Sequence, residues 1–285
     1  MFPKILHLTC KDKHNIDNHI WRQCYEKFKK MYTGYEIILY DNQDIYKIVR
    51  ENFPQDEEII KSVKNGGAIA DTFRYLILYL KGGVYADMDC EPLQHIDNLF
   101  NDFIYFHGNK GKFSIVNSIN PDYFNTFKIN PCSKCKNINN TNNFICGGHK
   151  LIEQEKFSLI ISNEFSKFYG CNNKQAGQCC QWFIIAKPKL FLFKALYEQC
   201  IKNIISKKYL ISVHDYTGPL MFTQMINIYM KLHENHGITI LPPDVFCVGS
   251  SIPYTRNGFI KHHFTGSWHN EENIRKMKPL SLICK

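Results

Sequence analysis

At 285 residues, 44% hydrophobic and 14% aromatic, the chain can bury a core as one large domain or two closely joined ones, which excludes a disordered protein. Its formal net charge of +9 would favour an anionic partner only if the charge were concentrated. The lysines instead come in ones and twos (Lys27, Lys29, Lys30; Lys207, Lys208), as on solvated helix faces, without the basic and aromatic stripe of a nucleic-acid binder.

The chain opens with Phe2-Pro3-Lys4-Ile5-Leu6-His7, which reads as a strand and not as a signal peptide. No run of about 18 apolar residues follows anywhere, so no membrane span is expected and the expected location is the cytoplasm. In that compartment the 12 cysteines are expected as thiols or metal ligands before disulfides. Residues 18 to 32 place Ile20, Cys24, Phe28 and Met31 at helical spacing, and residues 35 to 41 form a second strand that stops at Asp41-Asn42. A short helix is predicted over residues 44 to 53, before Pro54. This βαβ order predicts a parallel sheet with helices packed on it. A strongly apolar helix is predicted over residues 67 to 80, stopped by Gly82-Gly83, and residues 84 to 89 are predicted as a short strand.

That strand ends in Asp87-Met88-Asp89. In an extended segment residues two apart share a face, so both carboxylates would converge where open α/β folds place their ligands. Carboxylates that close repel unless a cation or a proton lies between them, and a hard divalent ion is the natural counter-charge. On the preceding helix Asp71 and Arg74 are three apart and share a face among apolar neighbours. They are either an internal ion pair or a polar clamp for a hydroxylated ligand.

The stretch from Ala68 to Asp89, with Asp71, Arg74, Tyr75, the paired glycines, Tyr85, Asp87 and Asp89 at fixed spacing, resembles glycosyltransferase family 32. That family of DXD sugar transferases includes fungal initiating mannosyltransferases and is similar to the glucosylating clostridial toxins. The resemblance is strong over residues 1 to 100 and returns weakly at residues 182 to 196, 215 to 219 and 262 to 270. It implies a GT-A fold, a Rossmann-like, mostly parallel sheet with helices on both faces. It further implies a UDP- or GDP-sugar donor and retaining transfer to a glycan, glycolipid or protein hydroxyl, with Mn2+ or Mg2+ held at the DXD. Carried over by position, Asp71, Arg74, Asp87 and Asp89 would be catalytic. Asp89 and Asp87 would hold the metal, with His262 and His263 within reach of it or of the diphosphate. Donor contacts would come from His7, Leu8, Tyr75, Ala86 and Asp87, and from Ser267 and Trp268 in a closing C-terminal loop. Where the family often has a tryptophan to stack on the base, this chain has Cys10, which leaves Trp21 or Tyr40 to take that place.

The expected organisation is a single catalytic domain: a nucleotide-sugar core over residues 1 to 106, a divergent insertion over 107 to 180, and an acceptor side with a lid over 181 to 285. Within the insertion, Cys132, Cys135, Cys146 and His149 have C-x2-C and C-x2-H spacing that would suit a structural Zn2+, or are unligated thiols. A competing expectation is a non-catalytic nucleotide-sugar-binding protein that keeps the fold. It would be favoured by loss of Asp87 or Asp89, and both are present.

Overall fold

The computed structural model describes residues 2–101, 104–106, 115–117, 157–164, 178–206, 213–233, 237–241, 243–248 and 258–266. The expected zinc ligands Cys132, Cys135, Cys146 and His149, and the lid residues Ser267 and Trp268, lie outside the described residues.

The strands are β1 (Ile5–Thr9), β2 (Glu36–Tyr40), β3 (Gly83–Ala86), β4 (Cys90–Pro92), β5 (Ile104–Phe106), β6 (Ile115–Asn117), β7 (Leu159–Glu164), β8 (Gln178–Cys179), β9 (Phe183–Ala186), β10 (Ile238–Leu241) and β11 (Ile260–His262). The helices are α1 (His19–Met31), α2 (Asn42–Asn52), α3 (Glu57–Lys61), α4 (Gly66–Lys81), α5 (Asn98–Asn101), α6 (Phe191–Ser206), α7 (Val213–Tyr216), α8 (Pro219–Leu232) and α9 (Pro243–Phe246). The central sheet runs β10-β7-β9-β3-β1-β2, with β8 added on β7. Along that path β9 alone opposes its neighbours, so the sheet is mixed and mostly parallel, as the βαβ order predicts. Residues 159–164 lie inside the stretch expected as an insertion, yet they form an interior strand of this sheet, between β10 and β9.

Strand alternation divides the core. Val84 and Ala86 face one layer, with Leu6, Leu8, Phe28, Phe183 and Phe246. Tyr85 between them faces the other layer, with Phe73, Leu76, Ile184, Phe193 and Phe222 from β9 and helices α4, α6 and α8. With helices on both faces, the short strands are apolar throughout: β3 and β9 are buried at every position.

Helix α4 begins at Asn65, whose side chain accepts from the Ala68 N–H at 3.0 Å. It ends at Gly82, with φ of 62°. A Cβ at Gly82 would stand 2.5 Å from the Pro188 nitrogen, and one at Gly83 (φ 92°) would stand 2.6 Å from the Ile5 carbonyl. Both the left-handed backbone and the lack of space therefore require glycine here. This tight exit sends the chain from α4 straight into β3, which delivers Asp87 and Asp89 to the end of the sheet.

Candidate functional site

The two aspartates do not sit on one extended strand. Strand β3 ends at Ala86, and the Cys90 N–H bonds to the Asp87 carbonyl at 3.0 Å, so residues 87–90 form a tight turn. The turn, and not the period-two alternation of the sequence reading, brings both side chains onto one cavity. Strand β4 then leaves antiparallel to β11, which returns His262 to the same place, paired with Cys90.

The cavity, of about 840 Å³, is lined by residues following β1 (Thr9, Cys10), by Asp71 and Arg74 of α4, by Asp87 and Asp89, by Glu164 and Gln181, and by His262, Phe264 and Thr265. Asp71 and Arg74 are both an internal pair and part of this wall. Arg74 is 3% exposed, so every charge-compensating contact must come from the protein. One Nη donates to the Gln181 carbonyl at 2.8 Å, and the other lies 3.0 Å from Asp71 Oδ1 and 2.9 Å from Asp87 Oδ1. The guanidinium also stacks over the Tyr85 ring at 4.7 Å. Asp71 accepts from Gln181 Nε2 at 2.7 Å and from Thr217 Oγ1 at 2.9 Å. Burial pushes its carboxyl above the usual range, against the opposing pull of Arg74, Thr217 and Gln181.

Asp87 and Asp89 titrate in opposite directions. Burial is the largest influence on both. For Asp87 it prevails over Arg74, with help from the neighbouring Asp89 charge, and raises the pKa to about 6. For Asp89 it is outweighed by His262 Nε2, 3.0 Å from Oδ1, and by the Thr265 N–H and Oγ1, each 2.9 Å from Oδ2. Asp89 is thereby held well below the usual carboxylate range and stays ionised. Thr265 Oγ1 in turn accepts from Trp21 Nε1 at 3.2 Å, so Trp21 joins the cavity wall through Asp89's own support.

Asp89, Cys90 and His262 offer ligand atoms within 4.8 Å of one another. Burial raises the Cys90 thiol, and it donates to the Trp182 carbonyl, so it is not a thiolate. The buried His262 Nδ1 has no hydrogen-bond partner among the described residues. An ionised carboxylate, a second one beside it and an imidazole fit a hard divalent cation better than they fit a thiolate-bound zinc.

His263 is placed away from this cluster, with Nε2 on Glu91 Oε2 at 2.8 Å. Glu91 also binds Lys27 at 2.6 Å. His7, Leu8, Tyr75 and Ala86 do not line the cavity; all four are fully buried behind it. Tyr75 donates to Gln181 Oε1 at 2.7 Å and so steadies the residue that holds Asp71. Tyr40 is likewise in the core, on His7 Nδ1 at 3.0 Å, which leaves Trp21 as the aromatic of the two on the cavity. Gln181, Thr217 and Thr265 were not singled out from the sequence. For Thr217 and Thr265 the signal was weak but present, since Thr217 lies in Asp215-Tyr216-Thr217-Gly218-Pro219 and Thr265 lies just before Gly266-Ser267-Trp268.

His7 thus has a structural role that predicts a measurable pH dependence. Its Nε2 donates to the Gly82 carbonyl at 2.9 Å, at the turn that aims β3. Burial lowers its pKa from 6.5 to about 4, although the Gly82 bond opposes that shift. Between those values the unfolded chain takes up a proton that the folded chain refuses. The His7 contribution is therefore intact above pH 6.5 and eroded as pH falls, by about 2 kcal/mol at pH 5. His7→Gln keeps a donor and an acceptor but cannot titrate. The urea midpoint of wild type is expected to fall more between pH 7.5 and pH 5 than that of the variant, and parallel profiles would contradict this.

Residues 18–104 match the family described as the glycosyltransferase sugar-binding region containing a DXD motif. Over 93 residues the chain is 33% identical to the mannosyl phosphorylinositol ceramide synthase of Saccharomyces cerevisiae, covering 32% of this chain and 24% of that protein. Over 305 aligned residues it is 23% identical to the initiation-specific alpha-1,6-mannosyltransferase of Schizosaccharomyces pombe, covering 94% of this chain and 64% of that one. The chain thus spans less than two thirds of either relative's length. Among solved structures it is similar to the catalytic domain of alpha-toxin from Clostridium novyi, at 14% identity and a TM-score of 0.42, over 96% of this chain and 81% of that one. The segment that carries α4, the glycine exit and both aspartates lies within the residues that match the DXD-containing sugar-binding region of glycosyltransferases.

Proposed function

We propose that the chain is a metal-dependent, retaining glycosyltransferase that moves a hexose from a UDP- or GDP-sugar to a hydroxyl of a glycan or glycoconjugate. The observation that carries this reading is the convergence of Asp87 and Asp89 on one cavity, with Asp89 held ionised by His262 and Thr265. The names of the two yeast relatives, a mannosyl-inositol-ceramide synthase and a mannosyltransferase, favour a hexose donor.

Asp89 and Asp87, with His262, would hold the divalent cation, Mn2+ or Mg2+. When bound, that ion neutralises the charge growing on the departing diphosphate. Arg74 holds the Asp87 carboxylate in place from within the core, so the pair needs no rearrangement as that charge appears. In the transfer the C1–O bond to the diphosphate breaks, and a C1–O bond to the acceptor oxygen forms on the same face. The acceptor's proton leaves with the diphosphate, so no protein nucleophile is required. Among the described residues no helix is long and apolar enough to cross a membrane.

The test is a panel of UDP- and GDP-hexoses with Mn2+, following nucleoside diphosphate release with and without EDTA. Release from one donor class, lost in EDTA, and an axial or equatorial product linkage matching the donor by NMR are expected. Binding without release would instead support the non-catalytic reading, and a product of inverted configuration would refute retention.

A further inference from the structure

Phe264 combines two unfavourable features. Its φ is 49°, a left-handed backbone that a bulky side chain rarely adopts; Lys189 is the one other non-glycine residue with positive φ among those described. The residue is also 43% exposed, so burial does not compensate for the backbone. A glycine or asparagine would adopt this conformation more readily.

The ring is nevertheless firmly placed. It stands near-perpendicular to Trp182 (centroids 5.3 Å apart, 74°) and to His262 (4.1 Å, 65°), while Trp182 and His262 stack on each other at 4.5 Å. The next residue, Thr265, fastens the backbone to Asp89. Apolar ring surface is thereby presented to a cavity whose neighbouring wall is Asp87, Asp89, Arg74 and His262. Strain retained at such a site points to a ligand contact.

We propose that Phe264 is a stacking platform for the C–H face of a pyranose ring. A pyranose suits the site because it has hydroxyls for polar neighbours and a patch of C–H groups for an aromatic face. The assignment rests on the reading of Asp87 and Asp89 as the diphosphate end of the cavity. In a nucleotide-sugar the groups flanking the diphosphate are the hexose and the ribose, and the base lies one unit further off. A ring beside Asp89 is therefore placed for the donor hexose or for the acceptor sugar that approaches it, not for the base.

The experiment compares Phe264→Leu, Phe264→Asn and Phe264→Tyr with wild type. Leucine removes the ring but keeps apolar bulk, and asparagine removes the ring while easing the backbone. Loss of the ring is expected to weaken sugar binding about 3- to 10-fold, seen as a higher KM for the donor if the donor hexose stacks, or for the acceptor if the acceptor does. The affinity for UDP or GDP alone with Mn2+, by calorimetry, is expected to be unchanged, and tyrosine is expected to restore the sugar affinity. The melting temperature of Phe264→Asn should exceed that of Phe264→Leu, because both lose the ring contacts with Trp182 and His262 and only asparagine relieves the backbone strain. Equal loss of nucleoside diphosphate affinity in the leucine and asparagine variants, or no loss of any affinity, would overturn the proposal.

A second readout separates this proposal from the catalytic one. Methyl gluco-, galacto- and mannopyranosides, titrated by ligand-observed NMR, need no turnover. If wild type releases no nucleotide but binds one of them in a Phe264-dependent way, the transferase reading fails and the platform stands. If turnover occurs but no pyranoside or kinetic parameter responds to loss of the ring, the platform fails alone.

Discussion

Asp89→Asn is expected to reduce transfer by about 10³-fold, the equivalent of about 4 kcal/mol of transition-state stabilisation, while the protein remains folded. Asp89 is 7% exposed and receives three hydrogen bonds, from His262 and twice from Thr265. Asp89→Ala would strand those donors and cost about 1–3 kcal/mol for each buried one left unpaired. Asparagine avoids much of that loss. Its oxygen can face Thr265 and its amide can face His262, whose Nε2 becomes an acceptor when the proton moves to Nδ1, an atom with no partner among the described residues. What asparagine cannot supply is the negative charge that a divalent cation needs. Wild-type turnover should therefore vanish in EDTA and return with excess Mn2+, whereas the residual activity of Asp89→Asn should respond to neither. Full activity of wild type in EDTA would remove the cation from the account. A variant that matches wild type in Mn2+ would remove Asp89.

Arg74→Lys is expected to lose both stability and rate, and the two losses have different origins. The guanidinium reaches Asp71, Asp87 and the Gln181 carbonyl at once from a site 3% exposed. A lysine ammonium is a point charge without the planar fork and cannot make all of these contacts in one geometry. Leaving a buried carboxylate without its partner costs about 3–5 kcal/mol, so a fall in melting temperature is expected. In the folded fraction, Asp87 loses the guanidinium and keeps the weaker hold of the Tyr85 hydroxyl at 3.0 Å, and a misplacement of that kind costs about 10²-fold in turnover. Differential scanning calorimetry and activity normalised to folded protein separate the two effects. A folded variant with wild-type turnover would make Arg74 a structural ion-pair partner only. A variant of unchanged melting temperature would contradict the buried network itself.

Much of the fold was legible because it is written locally. Helical spacing in residues 18 to 32 predicts α1, the Asp41-Asn42 stop predicts the end of β2, and Gly82-Gly83 predicts the end of α4. Each of these depends on neighbours within a turn or two of the chain. Strand β7 was not legible in this way. It lies far along the chain from β3 and β1, beyond an Asn- and Lys-rich stretch, and its place beside β9 depends on long-range pairing.

The site divides along the same line. Sequence alone determined which residues are the candidates for the site: the Asp-x-Asp pair, the Asp71 and Arg74 face of an apolar helix, and the glycine exit between them, all within residues 65 to 90. Tertiary structure decided what those groups can do. The turn at 87–90 replaced the extended geometry. Strand β11 and the residues just after it, more than 170 residues away from Asp89, brought His262 and Thr265 to hold that carboxylate ionised, while burial raised Asp87 instead. Residues of one type two positions apart thus acquired opposite proton affinities. The reason is physical: a side chain's protonation and contacts are set by desolvation and by partners in space, and neither is encoded by the spacing of residues along the chain.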